Sequence, residues 1–225
     1  INFTPMPNLK DTYLTISGMA SGEFRDRGSK FIAYAYPAYT EKEWKAALEE
    51  VRKLHPKARH HCYAYRLGLD QNNFRANDDG EPSGTAGRPI LGQIDSFGLT
   101  YVIVIVIRYF GGTLLGTSGL INAYRESTAA ALQEANIIER TVEEIYRLSF
   151  DYGLMGNVMS SIEHLQLNMI GQNFDTSATV DLAIRRSEAT PTLLRLKAAI
   201  GNLYLEEVDE ETEVEGLGIE WLETR

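Results

Sequence analysis

Six consecutive β-branched residues, Val102–Ile107, constrain the fold of this chain more than any other segment does. Valine and isoleucine favour strands. An uninterrupted apolar run, unlike an alternating one, predicts a strand that is buried on both faces of its sheet. The run is much shorter than the roughly 20 apolar residues that a transmembrane helix needs. We therefore expect a sheet that is covered on both faces, and no membrane span.

The first 140 residues predict an α/β domain. A strand over Thr12–Met19 is followed by a predicted turn at Ala20–Gly22. The capping box formed by Thr40 and Glu43 predicts the start of an amphipathic helix that ends before Pro56. The buried strand at Val102–Ile107 then leads through a glycine-rich turn into a second helix. We place the boundary of this domain near residue 141.

A second succession of predicted strands and helices begins at residue 141 and continues to residue 225. Alternating apolar residues predict strands around Tyr146–Phe150 and Ala178–Ile184, with a weaker strand at Met169–Phe174. Thr190 is predicted to cap the last helix, and Gly201 to lie just past its end. The resulting order is βαββαβ, which is that of a ferredoxin-like domain. The predicted fold class is therefore α+β, with an α/β domain over residues 1–140 and a ferredoxin-like domain over residues 141–225.

The formal net charge of −9 argues at first against a protein that coats nucleic acid or an anionic membrane. The charge is unevenly divided, however. Residues 1–140 hold 16 Lys/Arg and 15 Asp/Glu, for a net charge of +1, whereas residues 141–225 hold 6 and 16, for a net charge of −10. The acidity excludes a uniformly basic protein but leaves the first domain open to a phosphate-bearing partner.

The cysteine content bears on the compartment. Cys62 is the single cysteine and cannot form a disulfide within the chain, which is compatible with the cytosol. The first thirty residues show no basic segment followed by an apolar stretch, so they do not resemble a secretory signal. We expect a cytoplasmic protein, and the sequence leaves its oligomeric state open.

The glycine-rich turn after the buried strand is the first candidate site. It contains four glycines, Gly111, Gly112, Gly116 and Gly119. Glycines let a ligand approach the backbone closely, and a helix start carries unpaired N–H groups and a partial positive charge. Arg108 before the turn and Arg125 inside the helix could assist a phosphate. Alternatively, the glycines only permit positive φ in a tight connection; their spacing matches neither the Walker nor the dinucleotide-binding pattern.

The segment from Arg59 to Cys62 is the second candidate. On a strand, His60 and Cys62 share one face and His61 points to the other, so His61 and Cys62 do not form a nucleophile and base pair. A zinc site would need two further ligands. We expect structural histidines and a buried thiol, and no metal.

The acidic loop after residue 77 is the third candidate. Its residues are Asp78, Asp79, Gly80, Glu81, Pro82, Ser83, Gly84, Thr85, Ala86 and Gly87. Three carboxylates and two hydroxyls could bind a cation or act as acid and base, but tight turns and helix caps use the same residue types. Composition leaves both interpretations open.

Three separated segments together resemble the IMPACT family, in particular its two-domain bacterial members of the YigZ type. They are Ala58–Cys62 (ARHHC), Asp78–Leu91 (DDGEPSGTAGRPIL) and Arg108–Leu120 (RYFGGTLLGTSGL). The resemblance implies a first domain similar to the second domain of a small-subunit ribosomal protein, and a second domain similar to those of elongation factor G. It also implies a relation to eukaryotic regulators of translation that act through protein partners.

Three functional hypotheses follow. The leading one is a cytosolic, non-catalytic regulator without a cofactor, which binds RNA on or near the ribosome through Arg59, His60, Arg88, Arg108 and Arg125 around the glycine-rich turn. The second is a nucleotide-dependent phosphotransferase, because the implied first-domain fold is shared with small-molecule kinases whose glycine-rich loop holds ATP. The third is a protein-interaction regulator whose acidic second domain docks on a basic partner.

Overall fold

The computed structural model describes residues 11–70, 72–175 and 178–225. The chain divides into two compact units. One comprises Tyr13–Arg140. The other comprises Thr141–Arg225 and, among the described residues that precede Tyr13, Asp11 and Thr12. None of the helices in these ranges is long and apolar enough to cross a lipid bilayer.

The described residues of the first unit form seven strands and three helices, and the outer end residues of the first and last of these strands, Thr12 and Thr141, are counted with the other unit. The strands are β1 (Thr12–Ile16), β2 (Ala20–Asp26), β3 (Ser29–Pro37), β4 (His60–Leu67), β5 (Asn73–Asn77), β6 (Val102–Tyr109) and β7 (Ile137–Thr141). The helices are α1 (Glu41–Leu54), α2 (Gly87–Ser96) and α3 (Gly116–Gln133). The predicted turn at Ala20–Gly22 is wrong, because these residues begin β2 and pair with β3.

An antiparallel sheet of five strands, in the order β2-β3-β6-β4-β5, forms the centre of the first unit. Strand β6 is its middle strand, and Val102–Ile107 is completely buried, as the β-branched run predicts. The valines of the run pack into one core, which α2 and α3 help to form, and the isoleucines pack into a second core that includes α1. Helices therefore cover both faces of the sheet.

Three elements of this unit, β5, β7 and α2, escape sequence prediction. Strand β5 is almost entirely exposed, so it has no buried alternating face to reveal it. Helix α2 follows the acidic loop directly, and its N-cap residue, Ala86, makes no side-chain hydrogen bond to the helix. The ordinary signals for a strand and for a helix start are therefore missing. By contrast, the predicted capping box of Thr40 and Glu43 is present at the start of α1.

The second unit has the predicted element order βαββαβ. It consists of β8 (Glu143–Phe150), α4 (Met155–His164), β9 (Asn168–Phe174), β10 (Ala178–Arg185), α5 (Ala189–Gly201) and β11 (Leu217–Thr224). The strands form an antiparallel sheet in the order β11-β8-β10-β9. The predicted cap is wrong by two residues: Glu188 precedes α5, Thr190 lies in its first turn, and Asn202, in the left-handed region, ends it.

Candidate nucleic-acid interface

Three of the predicted motifs of the first unit meet at one end of its sheet, where β4 begins and β6 ends. His60 on β4 pairs in register with Arg108 on β6. The acidic loop, which joins β5 to α2, passes beside them: a Cβ built on Gly80 would lie 3.5 Å from Nδ1 of His60. Antiparallel pairing therefore brings together three motifs that are distant in the sequence.

Asp78 caps α2 from a distance. Its carboxylate accepts hydrogen bonds from the backbone N–H groups of Gly84 (2.8 Å), Ala86 (3.0 Å) and Gly87 (2.8 Å). Burial opposes the charged form, but these bonds prevail and hold the pKa of Asp78 below its ordinary value. The Asp78 carboxylate thus accepts hydrogen bonds at the start of α2, where Ala86 has no side-chain acceptor that could cap the helix.

Asp79 fixes the loop against β4. It adopts the left-handed region with φ of 40°, and its carboxylate accepts the backbone N–H of His61 at 2.7 Å. The carbonyl oxygen of Asp79 lies 2.9 Å from Nδ1 of His60, which donates to it. Within the loop, Thr85 donates its hydroxyl to the carbonyl of Pro82 at 2.7 Å. The carboxylates of two of the three acidic residues therefore accept hydrogen bonds from backbone N–H groups of their own chain.

Glu81, the third acidic residue, forms a buried ion pair with Arg108. Nη1 of Arg108 donates to both carboxylate oxygens, at 2.8 and 3.0 Å. The two side chains are only 3% and 8% exposed, respectively. The Tyr124 hydroxyl on α3 donates to the same carboxylate at 2.9 Å. Arg108 therefore contacts a carboxylate of its own chain beneath the surface, in place of an external anion.

This buried network ends at Cys62. The Cys62 sulfur lies 2.9 Å from the carbonyl oxygen of Asp78 and 3.3 Å from the Tyr124 hydroxyl. Burial raises the pKa of the Cys62 thiol far above its ordinary value. The thiol is protonated at neutral pH, and a thiol is a weak nucleophile. Cys62 is a buried structural thiol, as predicted.

The glycine-rich turn is shaped by close backbone contact. A Cβ on Gly111 would lie 1.9 Å from the carbonyl carbon of Gly28, in the hairpin between β2 and β3. Gly112 and Gly116 adopt positive φ angles of 87° and 71°. Thus the tight-connection interpretation of these glycines has direct geometric support. A Cβ on Gly119, within α3, would lie 2.9 Å from the Leu115 side chain.

Helix α3 begins at Gly116, immediately after this turn. Its N-cap residue, Leu115, makes no side-chain hydrogen bond, and its first turn holds no acidic residue. One carboxylate of β2, that of Asp26, comes within 4.0 Å of the Cβ position of Gly119. The first backbone N–H groups of the helix therefore lack a local side-chain cap.

The remaining predicted cations face outward. Arg59, Arg88 and Arg125 are exposed, and His60 is half-buried. Arg59 and Arg88 form no ion pair with any residue in the described ranges. Arg125 lies about two and a half turns into α3 and donates to Asn122 at 2.7 Å and to Glu126 at 3.3 Å. Arg125 is therefore partly neutralised by Glu126 and lies well along α3 from the turn.

Sequence reasoning assigned no role to two residues at this end of the sheet. Tyr124 lies on the buried face of α3, where the other residues are small or are leucines, and a single large side chain with a polar tip among them is the signal that could have indicated it. Phe110 follows β6 directly and is an exposed aromatic residue. In the described part of the chain, no group of three or more His, Cys, Asp or Glu side chains could hold a metal ion.

The full chain is similar to a solved structure. The crystal structure of a hypothetical protein superimposes with a TM-score of 0.69 at 26% identity, and the match covers 96% of this chain and 99% of that chain. This similarity extends over both units.

Sequence comparison identifies relatives of the same kind. The family described as the Impact N-terminal domain matches residues 27–132. The IMPACT family member YvyE of Bacillus subtilis is 36% identical over 155 residues, which cover 69% of this chain and 71% of that protein. An IMPACT family member of Haemophilus influenzae is 34% identical over 183 residues, covering 79% and 86%. This chain therefore belongs to the IMPACT family, with the bacterial members of the YigZ type as its relatives.

Proposed function

We propose that this protein is a non-catalytic regulator associated with translation, which acts in the cytosol and binds RNA, on or near the ribosome, through the first unit. One observation carries the proposal: at the end of the sheet where the family motifs meet, the carboxylates of the acidic loop are engaged within the chain, whereas two exposed arginines form no ion pair with the described residues. Asp78, Asp79 and Glu81 are bonded to groups of their own chain, whereas Arg59 and Arg88 are exposed.

The electrostatic consequence is local. The first domain has a net charge of only +1 by sequence, so its attraction for phosphate depends on how the charges are placed. Glu81 neutralises Arg108 beneath the surface, and Asp78 neutralises a helix start. The outward cations and the backbone N–H groups at the start of α3 then remain for an external anion.

The phosphotransferase hypothesis loses its main support at the same place. The acidic loop suggested metal ligands or a base, and each of its three carboxylates has a structural partner. The contacts of the loop are those of a turn and a distant helix cap, so they favour a binding protein over an enzyme.

On fold, we propose the ferredoxin-like arrangement for the second unit, supported by its element order and by the strand order β11-β8-β10-β9. For the first unit we propose similarity to the second domain of a small-subunit ribosomal protein, as the family resemblance implies. Both assignments are consistent with a protein of the translation apparatus, although fold by itself does not determine function.

RNA binding is tested by fluorescence anisotropy with a labelled hairpin RNA at about 50 and about 200 mM salt. We expect affinity that falls steeply with salt, and a lower slope when Arg59, Arg88 and Arg125 are all replaced by glutamine, because each phosphate contact contributes to the slope. Arg195→Gln, which removes an exposed cation from α5, is the control. The proposal fails if the unmodified protein shows no affinity, or an affinity that salt does not change.

A second candidate is supported by the acidic segment Glu206–Glu215. Its seven acidic side chains are all exposed, and within the described residues none forms a salt bridge. Lys197, which reaches the segment, donates to the backbone carbonyl of Glu210 and not to a carboxylate. We propose this segment as a docking site for a basic protein partner. Partner pull-down with Glu210, Glu211 and Glu213 changed to glutamine tests it, and an unchanged partner set counts against it.

A further inference from the structure

Two large apolar side chains are exposed on the glycine-rich turn. Phe110 is 58% exposed and Leu114 is 82% exposed. The turn that carries them is held by the contact of Gly111 with the hairpin at Gly28. A single exposed leucine on a surface needs no explanation, but two large apolar side chains that a fixed turn holds in place indicate an interaction site.

The ring of Phe110 rests on a buried cation. The guanidinium carbon of Arg108 lies 5.5 Å from the centre of the Phe110 ring and 5.6 Å from that of Phe31. Glu81 holds the same guanidinium through two hydrogen bonds. The buried ion pair thus supports an exposed aromatic ring, and the cation–π contact favours one ring position.

Cationic and hydroxyl side chains are exposed on the segments that neighbour Phe110. Arg27, exposed at the tip of the β2–β3 hairpin, precedes the glycine that touches Gly111. Arg59 immediately precedes β4, beside the end of β6. Exposed hydroxyl groups follow the turn at Thr113, Thr117 and Ser118. An exposed aromatic ring together with exposed cations on neighbouring segments is the combination that single-stranded nucleic acid requires, because bases stack on the ring and phosphates contact the cations.

We propose that Phe110 is a stacking platform for an unpaired base, so that the RNA recognised by this protein is single-stranded at this contact. The proposal rests on the proposed RNA binding and names the class of RNA. In a duplex, each base is already stacked between its neighbours and presents only its edges in the grooves. RNA loops and ends, in contrast, have unstacked bases that can lie on an aromatic ring. An exposed Phe110 ring therefore selects unpaired RNA.

Fluorescence anisotropy with two labelled RNAs tests the proposal: an unstructured single strand of about 12 nucleotides and a duplex of about 12 base pairs. We expect tighter binding of the single strand. Phe110→Ala is expected to weaken single-strand binding by about 5- to 150-fold, the range for loss of one base–aromatic stack, with little effect on duplex binding. Phe110→Tyr, which keeps an aromatic face, is expected to restore the affinity.

Phe74→Ala is the matched control. Phe74 is 52% exposed and lies 5.3 Å from the guanidinium carbon of Arg66, but it is on β5, where it pairs with Arg66 at the far end of β4 from His60. We expect no change in affinity. Thermal unfolding of each variant establishes that it is folded.

The possible results separate this inference from the proposed function. If the unmodified protein binds none of the RNAs, including the hairpin, RNA binding itself is refuted. If it binds the hairpin but prefers the duplex, or if Phe110→Ala leaves the single-strand affinity unchanged, the stacking platform is refuted and RNA binding stands. An equal loss for Phe74→Ala also overturns the inference, since it would show that any exposed phenylalanine suffices.

Discussion

Removal of Arg108 should strongly destabilise the first unit, because it would leave Glu81 charged and nearly inaccessible to water. The Glu81 side chain is 3% exposed and would lose both hydrogen bonds from the guanidinium. Breaking a buried ion pair by removing one partner costs about 3–5 kcal/mol. We expect a loss of that size in the free energy of unfolding for Arg108→Met, and a similar loss for Glu81→Leu, which leaves the guanidinium unpaired.

The double variant distinguishes a coupled pair from two independent residues. Arg108→Met with Glu81→Leu removes both charges, so we expect it to lie within about 2 kcal/mol of the unmodified protein. The residual loss comes mainly from the Tyr124 hydroxyl, which would lose its acceptor.

Urea unfolding followed by tryptophan fluorescence provides the measurement. Trp44 is buried in the first unit, and Trp221→Phe removes the tryptophan on β11 of the second unit. With that substitution in every variant, the fluorescence reports on the first unit alone, which a two-state treatment requires. If the losses of the two single variants simply add, within about 0.5 kcal/mol, Glu81 and Arg108 are not coupled and the reasoning is refuted.

Three further predictions concern the same end of the sheet. Asp78→Ala should lower the free energy of unfolding by about 2–4 kcal/mol at neutral pH, since three hydrogen bonds to a carboxylate are lost. Because the pKa of Asp78 is lowered in the folded protein, its contribution to stability is present above the unfolded pKa and disappears as the pH falls through the folded pKa. In urea unfolding, the difference in the free energy of unfolding between the unmodified protein and Asp78→Ala should therefore be smaller at acidic pH than at neutral pH. Burial lowers the pKa of His61, whose Nε2 has no hydrogen-bond partner among the described residues, so the unfolded chain takes up the proton at a higher pH than the folded protein does. Stability should fall as the pH drops below about 6.5, and less so in His61→Gln; an identical pH profile would contradict this. Gly111→Ala should cost about 3 kcal/mol or more because its Cβ would collide with the backbone of Gly28 and Ser29. Gly112→Ala should cost only about 1–2 kcal/mol, because φ is 87° there but the added Cβ would meet no described atom within 4 Å beyond its chain neighbours. Thermal unfolding of the two alanine variants compares these costs, and equal losses would exclude the backbone collision.

The sequence by itself determined the parts of this protein that depend on short-range chemistry. The β-branched run at Val102–Ile107 predicted the central strand because its side chains leave no polar face. The capping box of Thr40 and Glu43 predicted the start of α1 because its hydrogen bonds join residues three apart. The three family segments were recognisable as sequences, and they identified the family before any geometry was known.

Only the tertiary structure decided what the charged residues of those segments do. Glu81 and Arg108 are 27 residues apart, and Glu81 and Tyr124 are 43 apart, so no local pattern reveals that they meet. The acidic loop could equally have faced outward as a metal or catalytic site. Its direction followed from the pairing of β4 with β6 and from the backbone N–H groups at the start of α2, which needed an acceptor that Ala86 could not supply. Long-range pairing and the need to satisfy backbone polar groups engaged the three carboxylates within the chain and left Arg59, Arg88 and the ring of Phe110 exposed.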